Sequence, residues 1–480
     1  MRDQFLATSD SSAQSSAFNG YLQAIWEAVG GDPDCLRHLT ITGRGALPSI
    51  FCVTDLAAAS IGAASLAIAA LASVRHSVFP AVAVDRRLAS IWFQGSLHPE
   101  GWTMPSLWDS VAGDYQTADG WIRLHTNAPH HRDAAIAVLK TAIDRKAVAQ
   151  AVAQWNAVEL EAAIVAHGGC AASMRTLAEW DDHPQGRAVA AEPLLHRKIF
   201  SGAKLPQWPL PANRPLHGLK VLDLTRILAG PIATRFLAAF GAEVLRIDPL
   251  DWEEPLTVPE VVLGKRCARL DLKTPDGKKR LETLLMEADV FVHGYRPDAL
   301  ARLGFDAARR RSLNPGLIDV CLDAYGWTGP WSGRRGFDSL IQMSTGIADA
   351  GMRGMERNRP TPLPVQAIDH ATGYIMAAAV IRGLTERRET GCGYEIRASL
   401  ARTAHLLTSM DGQSPDAEPL LAETADDLST TIEQTGWGPA RRTRPPAEIA
   451  GMPMFWELPA PKLGSSPARW TSGDPAQVKR

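Results

Sequence analysis

Residues 218–248 read GLKVLDLTRILAGPIATRFLAAFGAEVLRID. Within them "LKVLDL" (219–224) is a short Leu and Val run of strand length. The stretch that follows opens on Gly230-Pro231, and Pro suits a first helical turn because its missing N–H has no intrahelical partner there. "AEVLRID" (242–248) reads as a second strand. Working outward, "CARLDL" (267–272) predicts a third strand and Asp276 to Ala288 a polar helix. "DVFVHG" (289–294) predicts a fourth strand, Asp298 to Leu303 a helix, and "GLIDVCLDAYG" (316–326) a fifth strand. Repeated βα units of this kind predict an α/β protein with a Rossmann-like parallel sheet and right-handed crossovers. No GxGxxG lies between the first strand and its helix, so a dinucleotide oxidoreductase loses its main signature.

A chain of 480 residues is too long for one ordinary core, which predicts two or three domains. Its 50 Lys and Arg nearly balance 52 Asp and Glu, so no global field recruits nucleic acid or an anionic membrane. Any site for a polyanion must be a local basic cluster. Cys35, Cys52, Cys170, Cys267, Cys321 and Cys392 are scattered without a CxxC pair, as expected of reduced thiols in a cytoplasmic protein with no structural metal. The N-terminus has no basic start, apolar core and small-residue cleavage site, so no signal peptide is expected. Leu56 to Val74 is uncharged and about as long as a membrane span, but nine of its nineteen residues are Ala. That composition predicts a closely packed internal helix.

Four prolines in "GAKLPQWPLPANRP" (202–215) mark an inter-domain linker. Residues 411–447, rich in Asp, Glu, Thr and Pro, predict a surface excursion. The chain also repeats itself. Asp55 and Asp369 each open an Ala-rich helix, and Ala57, Ile61, Ala63 and Ala64 match Ala371, Ile375, Ala377 and Ala378 at one offset. Each helix is followed by a second element, "VDRRLASIWF" (84–93) and "IRASLARTAHLL" (396–407).

The 218–248 stretch, continued by "LGKRCARLDLKTPDG" (263–277), "DVFVHGYRPDALARLGFD" (289–306), "NPGLIDVCLDAYGWTGPWSGRRGFDSLIQMSTG" (314–346) and "LPVQAIDHATGYIMAAAVIRGLTERRETGCG" (363–393), resembles the class III CoA-transferase family. That family, also called CaiB/BaiF, includes formyl-CoA and carnitine CoA-transferases, with α-methylacyl-CoA racemase as a relative. "DYQTADGWIRLHTNAPHHRDAAIAVL" (114–139) and "AHGGCAASMRTLAEWDDHPQG" (166–186) resemble its small domain. In ordinary members the large domain comes first. The order here implies a fusion of two partial copies: 1–100 a partial, eroded large-domain segment, 101–200 a small α+β domain, 201–216 the linker, 217–410 a CoA-binding large domain with the catalytic Asp, 411–447 the excursion and 448–480 a tail.

The resemblance implies that Asp369 is a covalent nucleophile which attacks an acyl-CoA thioester and passes through an anhydride and an aspartyl-CoA thioester. Read locally, an Asp at a helix start is equally an N-cap, and for Asp55 the cap is the expectation. CoA needs cations near the carboxyl ends of the strands. Arg226 follows the first strand, Arg246 lies near the end of the second, Lys265 and Arg266 precede the third, Arg296 follows the fourth and Arg302 lies in the next helix. The resemblance favours Arg302, Lys265, Arg266 and the loop of Thr225 and Arg226 most, and Tyr295 is a candidate for adenine or ribose packing. Any one of these basic residues could instead be an ordinary surface charge.

Three departures qualify the resemblance. Gly294-Tyr295 stands where the family commonly has Asn-Phe, no glycine-rich cover loop is evident, and Gly336-Phe337-Asp338 replaces the Gly-His-Asp of the racemases. Phe cannot shuttle protons, which favours transfer over racemisation. His370, His125, His130 and His131 are candidate bases by residue type alone. The reading is a cytoplasmic CoA-transferase acting on an acyl-CoA and a small carboxylic acid, with CoA as substrate and product, no metal, no nucleic acid, no membrane, and a homodimeric assembly. An acyl-CoA isomerase and a non-catalytic CoA-binding protein are the alternatives.

Overall fold

The computed structural model describes residues 15–75, 78–106, 108–201, 208–255, 257–296 and 298–471. Residues 202–207 of the expected linker, and the ends of the first and last segments, lie outside them.

Seven strands form the central sheet, in the order Lys265–Arg269, Glu243–Asp248, Lys220–Leu224, Val290–His293, Ile318–Asp323, Gly393–Ser399, His196–Phe200. The first six are parallel, and His196–Phe200 runs antiparallel on the edge. Ignoring that edge strand, the parallel strands follow the doubly wound 3-2-1-4-5-6 order. Each strand predicted between 219 and 326 is present, shortened or shifted by one to three residues at its ends.

Side chains alternate across the sheet, so each strand feeds two cores. Val221, Val244, Val290, Val292, Ile318 and Val320 pack with Ile232, Ala233 and the helix Ala367–Thr390 on one face. Leu222, Leu245 and Phe291 pack with Leu281, Leu284 and Leu285 of the helix Pro275–Glu287 on the other. The helices Ala229–Ala239 and Ala367–Thr390 approach so closely that a Cβ at Gly373 would stand 2.5 Å from the Ala229 carbonyl oxygen. Only glycine fits there.

The repeat read from the sequence is a structural one. Strand Leu39–Thr42, helix Val53–Ser73 and strand Val82–Asp85 form a parallel βαβ unit, as do Ile318–Asp323, Ala367–Thr390 and Gly393–Ser399. Cys52 and Gln366 precede the two helices with the same backbone angles, φ −75° and ψ 60°. Asp85 and Ser399 then N-cap the next helices, Arg86–Gln94 and Leu400–Thr408. Each unit gains an antiparallel edge strand from a distant part of the chain, Ala447–Ile449 in the first and His196–Phe200 in the second. The two Ala-rich helices pack against each other, since short side chains let their backbones come close. Val53–Ser73 is apolar and long enough to cross a membrane, yet 94% of its most apolar stretch is buried within the protein.

Strands Gly113–Gln116, Trp121–Leu124 and Ala171–Ser173 form a small antiparallel sheet with helices Pro129–Leu139, Arg145–Val152 and Ala157–Ala166 around their own core. This smaller domain docks on the segment after Asp323. Cys170 and Ala172 share a core with Leu340, Met343 and Ala348. Arg334 donates to Glu161 at 2.7 Å, and Arg335 to the Gly168 carbonyl at 2.7 Å.

Residues 411–447 are held on the fold rather than standing off it. Strand Gly438–Arg442 pairs with Leu97–Pro99, and Asp427 accepts from Arg87 at 2.8 and 2.7 Å. Strands of three to five residues are too short to leave the periodicity by which a sequence announces them.

Candidate functional site

In a parallel sheet the crossover helices begin at the carboxyl ends of the strands, so Asp369 belongs to that edge. Gln366 occupies the N-cap position, and Asp369 is the third residue of the helix rather than its cap. Asp55 stands three residues after Cys52 in the same way, so neither carboxylate is a helix cap. The helix start favours a negative charge at Asp369 through the aligned peptide dipoles.

Everything else around Asp369 disfavours that charge. Its side chain is buried. Its backbone N–H donates to Asp338 Oδ2 at 3.0 Å, which brings a second buried carboxylate to the same helical turn. Asp338 Oδ1 accepts from Gln342 Nε2 at 2.5 Å. Among the described residues no side chain donates to the Asp369 carboxylate. Burial first, and then the nearby Asp338, push Asp369 well above the usual carboxylate range. Burial also raises Asp338, to about 6, against the hydrogen bonds that lower it.

The smaller domain packs on Phe337 and on the helix that Asp338 begins. His125 stacks on Phe337 with ring centroids 3.7 Å apart and planes 7° apart, and His131 meets the same ring edge-on. Burial pushes both imidazoles down to about 3, so both are neutral. His370 is likewise lowered to about 3 by burial and stacks on Phe93 at 4.7 Å. None of the three carries a charge toward the carboxylates at neutral pH.

The sheet order reverses between Lys220–Leu224 and Val290–His293, where doubly wound folds open a crevice for ligands. Two of the residues singled out from the sequence meet across it. Arg226 donates to the Tyr295 hydroxyl at 2.9 Å, with its guanidinium over the Trp252 ring at 4.2 Å. Partial burial first, then the positive charges of Arg335 and Arg226, lower His130 of the smaller domain. His130 of the smaller domain thus lies near Arg226 and Arg335 of the large domain. Arg296 is exposed just beyond Tyr295, and Arg302 is exposed on the following helix in an ion pair with Asp298.

Three of the basic residues read as phosphate ligands are used up by the fold. Arg246 is fully buried, donating twice to Asp248 at 2.9 and 3.0 Å and to Glu254 at 2.7 Å. Lys265 Nζ is buried among Asp223 Oδ2 at 3.0 Å, Thr234 Oγ1 at 2.6 Å and the Pro231 carbonyl at 2.8 Å. Arg266 lies near the start of its strand, the end away from the crevice, and donates to Glu243 at 3.0 Å. Thr225 is buried too, and its hydroxyl donates to Asp223 at 2.5 Å.

Sequence reasoning missed the residues that shape the crevice. Glu254 accepts from Arg246, from Trp252 Nε1 at 3.1 Å and from the backbone N–H of Ile227. Ile227 has φ +65°, a conformation costly for a β-branched residue, and it aims the loop carrying Arg226. Asp338 lay in plain view in Gly336-Phe337-Asp338, and its four-residue spacing to Gln342 was the available signal for their contact on one helix.

The fold and this site define an α/β protein with a doubly wound sheet, a cationic crevice at its switch point and a buried carboxylate pair beside it. Residues 216–427 match the family model for CoA-transferase family III. Acetyl-coenzyme A transferase nodX of Hypoxylon pulicicidum is 35% identical over 202 residues, 41% of this chain and 34% of that protein. Human succinyl-CoA:glutarate CoA-transferase is 33% identical over 217 residues, 42% of this chain and 49% of that protein. The crystal structure of Rv3272 from Mycobacterium tuberculosis shares 32% identity and covers 41% of this chain and 58% of that one, with a TM-score of 0.38. A CaiB/BaiF family protein from Brucella suis shares 27% identity over 47% of this chain and 65% of that one, with a TM-score of 0.39. The chain spans between 34% and 56% of the length of four curated relatives that it matches.

Proposed function

We propose that this protein transfers CoA from an acyl-CoA to a carboxylic acid, with Asp369 as the covalent nucleophile. The carrying observation is a buried carboxylate in a first helical turn, without a donor among the described residues and beside Asp338. An anion so placed is destabilised, and acylation removes its charge. Asp369 attacks the thioester carbonyl, the carbon–sulfur bond breaks, and CoA leaves as thiolate from an acyl-aspartyl anhydride. The thiolate attacks the aspartyl carbonyl and expels the donor acid as carboxylate. The acceptor carboxylate then attacks the aspartyl-CoA thioester and expels CoA thiolate, giving a second anhydride. The thiolate attacks the acceptor's carbonyl, and Asp369 leaves as carboxylate. No step consumes a proton or an electron.

CoA contacts are proposed for Arg226, Tyr295, Arg296 and Arg302, which the fold leaves at or near the crevice. The names of the relatives, acting on acetyl-, succinyl- and fatty acyl-CoA, support an acyl-CoA donor and a small acid acceptor. We also propose that one chain completes its own site, because its smaller domain packs on its own Phe337 and on the helix that Asp338 begins. The apolar helix Val53–Ser73 is buried inside the chain.

The test is trapping. After incubation with an acyl-CoA, hydroxylamine or borohydride should modify the peptide containing Asp369, and Asp369→Ala should abolish exchange. Asp55→Ala should leave turnover within about threefold, less than 1 kcal/mol on the barrier. Modification at Asp55 would overturn the assignment.

A further inference from the structure

On the sheet face opposite the helix Ala367–Thr390, a 480 Å³ cavity opens over the strands Val290–His293, Ile318–Asp323 and Gly393–Ser399. Ile318 and Ile396 face that helix at Gly383, so the alternating Asp319 and Cys321 face the other way, into the cavity. His293 is the direct register partner of Cys321. Its Nδ1 lies 3.5 Å from Cys321 Sγ, and its Nε2 lies 3.6 Å from Asp319 Oδ1. Asp319 is fixed from behind by Arg310, whose Nε and terminal nitrogen both approach its Oδ2 at 2.8 Å.

Two buried polar atoms here, His293 Nε2 and Asp319 Oδ1, have no hydrogen-bond partner among the described residues. Most buried polar atoms in folded proteins are paired, so a bound group is one partner these two could take. They face each other just beyond bonding distance, as a base and its orienting carboxylate do before a substrate tightens them. Burial, then Asp319, hold the Cys321 thiol well above its usual range, and burial holds His293 below its own. The resting pair is therefore a neutral thiol beside a neutral imidazole, as in nucleophiles that are deprotonated only during attack. The cavity walls combine the apolar or aromatic Leu300 and Trp327 with Arg296 and with the carboxylates Asp298, Asp306 and Glu395, the last paired with Arg397. A cavity of this size is in the range that small-molecule sites occupy.

We propose that Cys321, with His293 as base and Asp319 orienting it, is a second covalent site that accepts an acyl group from an acyl thioester. The proposal rests on the reading that the chain meets acyl-CoA. Cys321 sulfur attacks the thioester carbonyl while His293 Nδ1 takes the thiol proton. The bond from carbon to the CoA sulfur breaks, and the proton passes from His293 to the departing thiolate. One thioester replaces another, and nothing is oxidised or reduced.

The experiment uses the full chain carrying Asp369→Ala, which removes the carboxylate nucleophile, and acetyl-CoA as the probe. Intact mass should gain one acetyl group, located on the Cys321 peptide and released by neutral hydroxylamine. Adding Cys321→Ser should abolish the adduct, and adding His293→Gln should slow it by about 100-fold, the scale of a general base. Thermal unfolding of each variant checks that it is folded, and iodoacetamide labelling of Cys321 in the His293→Gln chain reports that the thiol is still reachable. No adduct on the Asp369→Ala chain, an adduct that survives Cys321→Ser, or an unchanged rate without His293 would each overturn the proposal. Exchange between acids by the unmodified protein is measured separately, so loss of either reading shows without the other.

Discussion

Asp55 and Asp369 occupy the same position in two copies of one βαβ unit, and they are in opposite electrostatic states. Asp55 accepts from Arg86 at 2.6 Å through one oxygen and from Ser15 Oγ at 2.6 Å through the other. Asp369 has the carboxylate of Asp338 for a neighbour instead of a cation. The residue at the place of Arg86 in the second copy is Leu400. The two copies thus differ around the shared position: Arg86 and Ser15 bind Asp55, whereas Leu400 and Asp338 leave Asp369 without a cation.

The twins should answer to the same change with opposite signs. A carboxyl raised by the fold contributes most to stability while protonated, and that contribution is lost as pH rises through its folded value. At pH 8, Asp369→Asn should therefore stabilise the protein by about 2 kcal/mol, with the gain shrinking as pH falls from the raised folded value toward the ordinary carboxylate range. Asp55→Asn weakens the pair with Arg86 and should cost about 1 kcal/mol, discounted because Arg86 is partly exposed. Urea denaturation at pH 5 and pH 8 checks both.

Asp338→Asn removes the like charge beside Asp369. The acid limb of the exchange rate, which rises as the nucleophile ionises, should move to lower pH. At high pH the variant should be slower by about tenfold, because a less destabilised carboxylate gains less from acylation. A pH–rate profile decides this, and an unmoved limb would assign Asp338 to structure alone.

Arg226 and Lys265 should separate binding from folding. Arg226→Ala should raise KM for acyl-CoA about tenfold while leaving kcat within about twofold, as expected for a contact made equally in ground and transition states. Lys265→Met leaves Asp223 buried without its cation and should cost about 3 kcal/mol of stability. Calorimetric titration with CoA and urea denaturation read the two effects.

If the smaller domain completes the site in its own chain, specific activity should stay constant on dilution from micromolar to nanomolar protein. Light scattering on the same samples gives the mass against the 51.8 kDa chain. Activity that falls with dilution, in step with dissociation, would show that a second chain contributes to the site.

The strands and the internal repeat were legible because they rest on local signals. Val and Leu runs such as 219–224 end at turn residues, and a fixed offset joins Asp55 to Asp369. The ordered motifs between 218 and 393 carried the family resemblance. Local sequence could not say which basic residues face a ligand. Arg226, Arg246 and Lys265 read alike beside their strands, yet Arg246 and Lys265 are neutralised by Asp248, Glu254 and Asp223, and Arg226 stays at the crevice. Nor could it place Asp338 against Asp369, thirty-one residues on, or set Cys321 beside His293. Periodicity reports which face of an element is buried, because that depends on neighbours one or two turns away. The state of a charge depends on what packs against it from elsewhere in the chain, and only the folded arrangement supplies those partners.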